Sequence, residues 1–214
     1  MSKDWTKRNS SYLGRVYSAK NNQELQEGYD DWGPVYDATT HDESLGYVGP
    51  QTLIGYVLEY VPKDAMILDA GAGTGQMGQF LLKAGYQNLV AMDLTKGMLE
   101  IARKKNIYRE LHQMVLGESL DFATDSFDAV VSCAVFTVGH APASAFDELV
   151  RITKPGGYLA ISINLVVYED NGFRAKQEAL ESTGKWKRVG GSGSYQLSIG
   201  EPDIFYQIWV HQVI

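Results

Sequence analysis

An acidic residue followed by three alternating glycines is the pattern in this chain most suited to chemistry. Asp69 precedes Gly71, Gly73 and Gly75, and a second acidic residue, Asp93, comes 18 residues beyond the last of these glycines. Glycine allows backbone conformations closed to other residues and lets a ligand lie directly against the main chain. In nucleotide-binding folds, an acid about 20 residues beyond a glycine-rich turn binds ribose hydroxyls. The spacing therefore indicates a pocket for a nucleotide-like ligand.

The order of the glycines distinguishes between ligands. Dinucleotide-binding turns follow G-x-G-x-x-G, whereas this chain reads D-x-G-x-G-x-G. A carboxylate at Asp69 would repel a diphosphate and favours a ligand that carries an ammonium or sulfonium group. Two structural alternatives stay open. The glycines could form a tight strand-to-helix connection, and Asp93 could cap a helix.

The elements around this turn predict an α/β fold. Apolar runs indicate strands at 66–68, 88–92, 113–116, 127–135, 158–163, 185–189 and 204–213. Helices are expected at 22–36, 45–60, 76–83, 96–105, 143–152 and 172–181, with Gly33-Pro34 as a break in the first. Alternating strands and helices indicate a parallel sheet with right-handed crossovers. Ligands bind outside the carboxyl ends of such strands, where Asp69 and Asp93 fall.

Three segments resemble a known family. They read ILDAGAGTGQMGQFLLKAGYQNLVAMDLTKGMLEIARKK, FDAVVSCAVF and ITKPGGYLAISI, and they are similar to the class I S-adenosylmethionine-dependent methyltransferases. Within that superfamily, YDDWGPVYD, IYRELHQMVLG and LGESLDF resemble the methyltransferase-like proteins named for the Williams–Beuren syndrome chromosome region. The resemblance covers about residues 23 to 165.

The resemblance implies a fold and a cofactor. The fold would be a Rossmann-like, seven-stranded, mainly parallel sheet with helices on both faces and an antiparallel C-terminal edge strand. The cofactor would be S-adenosyl-L-methionine, and the product S-adenosyl-L-homocysteine. Residues 1–50 would form an N-terminal helical lid segment and residues 51–214 the methyltransferase domain, within a single structural domain overall.

The predicted cofactor-binding residues lie at strand ends and in the lid. By resemblance, Glu118 would read the adenine amino edge, the backbone near Cys133 would hold the methionine end, and Phe136 would border the reacting methyl. Met98 could pack on the adenine face, although a methionine at helical spacing is commonly part of a core, and Glu118 could be a surface acid. The predicted set is Tyr29, Trp32, Tyr36, Asp69, Ala70, Gly71, Gly73, Gly75, Asp93, Leu94, Met98, Gly117, Glu118, Ser119, Cys133 and Phe136.

Aromatic and acidic residues are interspersed in the lid segment. They are Tyr29, Trp32, Tyr36 and Tyr47, and Asp30, Asp31, Asp37, Asp42 and Glu43. Aromatic faces favour a sulfonium or a cationic substrate by about 0.5–2 kcal/mol per contact. The acidic residues therefore predict a small amine as acceptor. Alternatively, the rings simply pack the N-terminal helices on the sheet.

The expected mechanism is an in-line displacement in which a substrate lone pair attacks the sulfonium methyl. A phenol or an ammonium acceptor would need a base. His140, just past the fourth strand, is the predicted base, and His41 in the lid is the alternative. Either histidine could be structural instead. Cys133 is not expected to be a nucleophile, because no basic activator lies near it in sequence.

Composition restricts the partners. A net charge of −7 argues against a nucleic-acid substrate, and the apolar run 129–138 is shorter than the roughly 20 residues that span a bilayer. A single cysteine predicts a reducing, cytoplasmic setting. We therefore predict a small-molecule methyltransferase without a metal, a nucleic-acid partner or a membrane partner, as a monomer or homodimer. The alternatives are a non-catalytic binding or regulatory module and, less favoured, an NAD-dependent oxidoreductase, which would use the dinucleotide spacing.

Overall fold

One mixed sheet forms the centre of the protein. The computed structural model describes residues 12–41, 46–198 and 203–214. Its strands are β1 (Met66–Ala70), β2 (Asn88–Asp93), β3 (Glu110–Gln113), β4 (Phe127–Phe136), β5 (Thr153–Asn164), β6 (Trp186–Gly191), β7 (Tyr195–Gln196) and β8 (Phe205–Val213). They lie in the order β3-β2-β1-β4-β5-β8-β6, and the short β7 pairs with β8 off this path. The path contains the seven strands that the resemblance implies.

The strand directions create a binding edge. Strands β1 to β5 pair in parallel, so their carboxyl ends lie along one edge of the sheet. The C-terminal β8 is inserted between β5 and β6 and runs antiparallel to both. From β1 the chain continues to β2 and β3 on one side and then crosses to β4 on the other. Open α/β sheets bind ligands at this reversal of strand order.

Helices cover both faces of the sheet. They are α1 (Tyr12–Tyr17), α2 (Asn22–His41), α3 (Gly49–Tyr60), α4 (Gln76–Lys83), α5 (Lys96–Lys104), α6 (Ala145–Ile152), α7 (Leu165–Tyr168) and α8 (Phe173–Ser182). Leu68 of β1 packs in the core with α6 and α8, whereas its neighbour Ile67 packs in a second core with α3 and α4. Successive strand residues point to opposite faces, which is why β1 is apolar without alternation.

The first two helices cover the carboxyl edge of the sheet. Val16 of α1 and Leu25 and Trp32 of α2 pack with Tyr206 of β8. Tyr206 pairs with Asn164, the last residue of β5, so this cluster lies at the edge where the parallel strands end. The division of the chain at residue 50 remains a prediction.

The predicted break in the first long helix is wrong. α2 continues through residue 41 with Pro34 inside it. Gly33 serves a packing contact instead, because a Cβ at this position would lie 3.1 Å from Ile101 Cδ1 on α5. The glycine therefore lets two helices approach each other closely. The next helix, α3, begins at Gly49 rather than at residue 45 and carries Pro50 in its first turn, while residues 42–45 lie outside the described ranges.

The third strand lies earlier than predicted. It spans 110–113 rather than 113–116, as a partly exposed strand at the end of the sheet. The apolar residues Met114, Val115 and Leu116 follow the strand and line a cavity. These residues thus lie outside the strand and face the cavity, and Met114 and Leu116 also pack against the core. In the described parts of the chain, every helix is too short or too polar to cross a bilayer.

Candidate functional site

A cavity of about 420 Å³ opens at the carboxyl edge of the sheet. Its walls are the turn after β1, the ends of β2 and β4, the segments that follow β3 and β4, and part of α2. It thus lies at the point where the strand order reverses. Small-molecule sites commonly measure about 300–1,000 Å³. The cavity therefore has the position and the size of a binding site for one small ligand or for two that react together.

The glycine turn gives this cavity a backbone wall. Gly71 and Gly73 line it, and both have positive φ, +82° and +54°. A Cβ at Gly71 would overlap the side chain of Val135, whereas a Cβ at Gly73 would meet nothing within 4 Å. The N–H of Gly71 donates to the carbonyl of Met92 at 2.8 Å, which fixes the turn against β2. Packing thus requires Gly71, while Gly73 leaves space for a ligand.

Asp93 holds the turn from the end of β2. Its Oδ2 accepts a hydrogen bond from the N–H of Gly73, and its Oδ1 accepts one from the N–H of Thr95, each at 2.8 Å. Burial raises the pKa of the Asp93 carboxyl, and these backbone hydrogen bonds oppose the rise. A carboxylate has about four lone-pair sites. Asp93 can therefore hold the turn and still accept hydrogen bonds from ligand hydroxyls.

Asp69 is buried at the end of β1 and does not line the cavity. Its Oδ2 accepts a hydrogen bond from the Tyr108 hydroxyl at 2.5 Å. Its Oδ1 is buried and has no hydrogen-bond partner among the described residues. Burial raises the pKa of Asp69 to about 7, opposed by the Tyr108 hydrogen bond and increased by the charge of Asp93. A buried carboxyl with an unused oxygen suits a cationic group brought by a ligand.

The aromatic residues of α2 divide into two roles. Tyr29 and Tyr36 line the cavity, but Trp32 does not. The Trp32 ring stacks on Tyr29 with centroids 6.1 Å apart, and its indole N–H donates to the Thr39 hydroxyl at 2.9 Å. Trp32 is thus a packing residue of the N-terminal helices. Tyr47 also lies outside the cavity wall, where its hydroxyl contacts Cys133 Sγ at 3.5 Å.

The acidic residues of the lid do not line the cavity where they are described. Asp30 Oδ1 accepts a hydrogen bond from the N–H of Gly97 at 3.2 Å, and Asp31 pairs with Arg15. Asp37 lies 2.5 Å from Lys105 Nζ. Residues 42 and 43 lie outside the described ranges. The three described lid acids thus contact the protein itself and give no support to an amine acceptor.

His140 lies in the cavity wall, after β4, in a defined tautomer. Its Nδ1 lies 2.7 Å from the carbonyl oxygen of Val138. A carbonyl can only accept, so Nδ1 carries the proton. The unprotonated Nε2 then accepts from the Tyr29 hydroxyl at 2.8 Å. Burial lowers the pKa of His140 to about 4, opposed by the Val138 hydrogen bond. The ring is therefore neutral at pH 7 and presents an acceptor nitrogen.

The end of β4 adds a thiol and an unusual backbone. Cys133 lines the cavity, and burial raises the pKa of its thiol to about 12, so the thiol stays protonated at neutral pH. Ala134 has a φ of +60°, a conformation that costs on the order of 1–3 kcal/mol for a residue other than glycine. Its N–H donates to the Ser162 hydroxyl at 2.7 Å, which stabilises this bend in the cavity wall.

Phe136 does not reach the cavity, contrary to expectation. It is fully buried in the core, where its ring packs edge-on against Phe146 and Phe173 with centroids 4.9 and 5.7 Å away. The preceding residue, Val135, lines the cavity instead. Cys133, Ala134 and Val135 all line the cavity, because the regular pairing of β4 with β5 is interrupted between Ser132 and Phe136. Pairing resumes at Phe136, whose side chain lies in the core.

The structure brings most of the predicted site residues to one cavity. Those that line it are Tyr29, Tyr36, Gly71, Gly73, Asp93, Leu94, Met98, Gly117, Glu118, Cys133 and His140. Those that do not are Trp32, Asp69, Ala70, Gly75, Ser119 and Phe136. Ala70 is buried in the core, Gly75 begins α4 with a φ of +88°, and Ser119 is exposed.

Sequence reasoning missed part of the cavity wall. The additional residues are Asn22, Leu25, Met92, Thr95, Met114, Val115, Leu116, Ala134, Val135, Ala141 and Pro142. Thr95, Val135 and Ala141 are each adjacent in sequence to a predicted site residue. Extending each predicted strand-end motif by one residue would therefore have included them. Asn22 and Leu25 come from the start of α2, and no sequence motif connects them with the glycine turn.

Comparisons with known proteins agree with this geometry. The Methyltransferase domain family matches residues 68–161. Methyltransferase-like protein 27 of Homo sapiens is 33% identical over 168 residues, which are 74% of this chain and 66% of that protein. Demethylmenaquinone methyltransferase of Renibacterium salmoninarum is 31% identical over 153 residues, which are 70% of this chain and 62% of that protein. The chain thus spans somewhat less than two thirds of the length of these relatives.

A solved structure shows the same fold. The crystal structure of the cyclase SpnF has a TM-score of 0.68 and 15% sequence identity, covering 91% of this chain and 97% of that chain. This likeness confirms the Rossmann-like α/β architecture with its mostly parallel sheet. Because the Methyltransferase domain family matches this chain and its relatives are named as methyltransferases, the chain belongs to the S-adenosylmethionine-dependent methyltransferase family.

Proposed function

We propose that this chain transfers a methyl group from S-adenosylmethionine to a nitrogen, oxygen or sulfur nucleophile of a small molecule, by in-line displacement. The observation that carries the proposal is one cavity whose wall contains both the glycine turn with Asp93 and the pair of Tyr29 and His140. The first group suits an amino-acid nucleoside. The second suits an acceptor that must lose a proton.

The residues at the turn fit the cofactor. Asp93 retains lone pairs for ribose hydroxyls, Met98 offers an apolar surface to a purine, and the absence of a side chain at Gly73 leaves space beside the turn. The buried Asp69 carboxyl has an oxygen without a partner among the described residues, which suits the ammonium of an amino acid. When bound, the cofactor supplies a sulfonium methyl carbon, to which an acceptor lone pair bonds as the carbon–sulfur bond breaks.

His140 is the proposed proton acceptor. Its Nε2 already accepts a hydrogen bond from the Tyr29 hydroxyl. An acceptor hydroxyl or N–H that takes the place of Tyr29 on Nε2 would transfer its proton there while its bond to the methyl forms. The hydrogen bond that Nδ1–H donates to the Val138 carbonyl keeps the ring in the orientation that this step needs.

A small acceptor is supported by the cavity and by the charges around it. None of the residues known to line the cavity is Lys or Arg, so an anionic acceptor is not favoured. The chain has a net charge of −7, whereas nucleic-acid substrates are bound through basic surfaces. One relative is named for demethylmenaquinone, a small molecule. A cytoplasmic location, the absence of a membrane partner and a monomeric or homodimeric state remain predictions.

A cofactor-binding module without turnover is the second candidate. The low pKa of His140, about 4, makes it a weak base and favours this alternative. The fold does not decide the matter, because the similar structure of SpnF is named as a cyclase and one fold supports several reactions.

Transfer of a labelled methyl group tests the proposal. The chain is incubated with S-adenosylmethionine labelled in the methyl group and with a cell extract divided by dialysis into small molecules and macromolecules. We expect label in a dialysable product and an equal amount of S-adenosylhomocysteine. Label in protein or RNA would contradict the small-molecule assignment. Cofactor binding without transfer to either fraction would favour the binding module.

A further inference from the structure

Tyr108 and Asp69 form a buried pair next to the glycine turn. Tyr108 lies between α5 and β3, and Asp69 lies in β1. Their side chains join where the Tyr108 hydroxyl donates to Asp69 Oδ2 at 2.5 Å. Asp69 is 1% exposed and Tyr108 9%. A short hydrogen bond to an ionised carboxylate is stronger than one between neutral groups, and solvent does not compete for it here.

Two glycines make room for the Tyr108 ring. A Cβ at Gly78 would overlap the Tyr108 hydroxyl, and a Cβ at Gly75 would lie 3.1 Å from the ring. Gly78 lies inside α4, where glycine destabilises a helix by roughly 0.5–1 kcal/mol relative to alanine. The fold thus loses helix stability at the position that lets the ring reach Asp69. This arrangement points to a use for the contact.

The hydrogen bond makes the two oxygens of Asp69 unequal. Oδ2 is held by Tyr108, and Oδ1 is buried without a partner among the described residues. An unpaired oxygen of a buried carboxylate is costly unless a ligand supplies a donor. The residues after Asp69 lead directly into Gly71 and Gly73, which line the cavity.

We propose that Tyr108 is a positioning residue for the amino-acid end of the cofactor. By holding Oδ2, Tyr108 fixes the orientation of the Asp69 carboxylate, so that its buried Oδ1 attracts the cofactor ammonium from directly behind the glycine turn. The proposal rests on the cofactor site described under the proposed function.

The titratable groups that face Asp69 decide how this pairing depends on pH. They are Tyr108, Asp93 and Cys133. Burial and the charge of Asp93 raise the pKa of Asp69 to about 7, against hydrogen bonds from Tyr108 and from the Gly78 backbone, which lower it. The Cys133 thiol, with a pKa of about 12, stays neutral. Asp69 must be ionised to bind an ammonium, so affinity should fall as the pH drops below about 7.

Two thioether ligands isolate the amino-acid end. S-adenosylhomocysteine and 5′-methylthioadenosine both contain adenosine and a neutral sulfur, and only the first carries the amino acid. We expect Tyr108→Phe to weaken the binding of S-adenosylhomocysteine about tenfold, because the variant loses one hydrogen bond to a charged group. Its effect on 5′-methylthioadenosine should stay within about twofold.

Tyr86→Phe is the matched control. The Tyr86 hydroxyl is also buried, but it donates to the carbonyl oxygens of Val57 and Val61 at 3.1 and 2.8 Å, outside the cavity wall. This variant should change neither affinity. Melting temperatures of both variants show whether each is folded.

The pH dependence of the affinity ratio provides a second arm. In the unaltered protein, the preference for S-adenosylhomocysteine should decline as the pH falls below about 7. Protonation of Asp93 should affect both affinities equally, because both ligands carry the ribose, so its effect cancels in the ratio of the two affinities. In Tyr108→Phe the decline should move to higher pH, since the hydrogen bond that lowers the pKa of Asp69 is gone.

Three outcomes would overturn the inference: equal weakening of both ligands, no weakening of either, or a pH-independent ratio in the unaltered protein. The last of these needs no variant, so it can refute the inference even if Tyr108→Phe does not fold. Binding of neither ligand by the unaltered protein would instead refute the proposed function.

Discussion

Tyr29 and His140 reach the same cavity from distant parts of the chain. They are 111 positions apart, and the hydrogen bond between them is 2.8 Å long. Only the placement of α2 over the carboxyl edge of the sheet brings them together. The Val138 carbonyl fixes the tautomer of His140, and burial keeps the ring neutral. The two residues together present a hydrogen-bond acceptor that a substrate can use.

Replacement of His140 tests its role as the base. With an oxygen or nitrogen acceptor, His140→Gln should lower kcat by about 10²–10⁴-fold, the usual contribution of a general base. Affinity for S-adenosylhomocysteine should stay within about twofold. Because the pKa of His140 is about 4, the rate of the unaltered enzyme should not fall through protonation of this ring until the pH approaches that value.

His112→Gln serves as the matched control for that experiment. His112 is a partly exposed residue of β3 whose Nε2 contacts Glu110 at 3.0 Å, and it does not line the cavity. This variant should retain full activity. An undiminished kcat in His140→Gln would show that the acceptor loses its proton elsewhere.

Single residues were predictable from sequence where a motif determines the backbone. Gly71 and Asp93 belong to such a motif, and both line the cavity. Phe136 was predicted to border the reacting methyl but lies in the core, because an irregularity of β4 between Ser132 and Phe136 ends the cavity-lining stretch at Val135. The contact of Tyr108 with Asp69 has no sequence pattern, because it depends on a loop that folds back onto β1.

At the scale of elements, α2 is held on the glycine-turn helix by polar contacts. Asp37 Oδ1 accepts hydrogen bonds from the Thr74 hydroxyl at 2.5 Å and from the Gln76 amide at 3.0 Å. Lys105 adds an ion pair. Burial raises the pKa of Asp37, but its hydrogen bonds and the charge of Lys105 outweigh this effect and lower the pKa overall. The helix that carries Tyr29 is therefore fixed to the helix that follows the turn.

Removal of Asp37 should loosen α2. We expect Asp37→Ala to speed amide hydrogen exchange within 22–41 by about tenfold or more, because it deletes hydrogen bonds worth about 1–3 kcal/mol. Affinity for S-adenosylhomocysteine should fall as Tyr29 and Tyr36 become less ordered. Hydrogen exchange followed by mass spectrometry measures the first effect.

Asp31→Ala is the control for α2. Asp31 is also on this helix but forms an exposed pair with Arg15, and such pairs contribute only about 0–1 kcal/mol. Equal exchange in the two variants would show that Asp37 does not hold the helix.

Element types were more predictable than their ends. The apolar runs correctly indicated the central parallel strands β1, β2, β4 and β5, since burial on both faces gives a strong signal. The exposed end strand β3 gave a weak signal, and the apolar run after it was mistaken for the strand. Gly33-Pro34 suggested a break because close packing of α2 on α5 cannot be read from local sequence.

At the scale of the whole molecule, stability depends on a second buried histidine. His211 of β8 is 2% exposed, and its ring stacks on Trp186 with centroids 4.0 Å apart. Burial, together with the charge of Arg188, lowers the pKa of His211 to about 3. An unfolded histidine has a pKa of about 6.5. The unfolded state therefore binds more protons than the folded state between these two values.

Acid should thus destabilise the protein through His211. Below about pH 6.5, each pH unit costs up to about 1.4 kcal/mol of folding free energy for this group. His211→Phe keeps a ring against Trp186 and removes the titration, so its stability relative to the unaltered protein should rise by about 1.6 kcal/mol between pH 6.5 and pH 5.

Urea unfolding at the two pH values measures this difference. Asp69 and His140 also have shifted pKa values. Both residues are present in the two proteins, so their contributions to the pH dependence of stability cancel in the difference. A stability difference that does not change with pH would show that His211 has the same pKa in the folded protein as in the unfolded chain.

The measurement that most directly tests the central claim is calorimetric titration of S-adenosylhomocysteine into the unaltered protein, Asp93→Ala and Asp128→Ala. Asp128 also accepts a hydrogen bond from a backbone N–H, that of Met66 at 2.8 Å, but at the start of β1 on the opposite edge of the sheet. We predict one binding site, whose affinity for S-adenosylhomocysteine is at least about tenfold lower in Asp93→Ala and unchanged in Asp128→Ala. Undiminished affinity in a folded Asp93→Ala would contradict the assignment of this cavity to the cofactor.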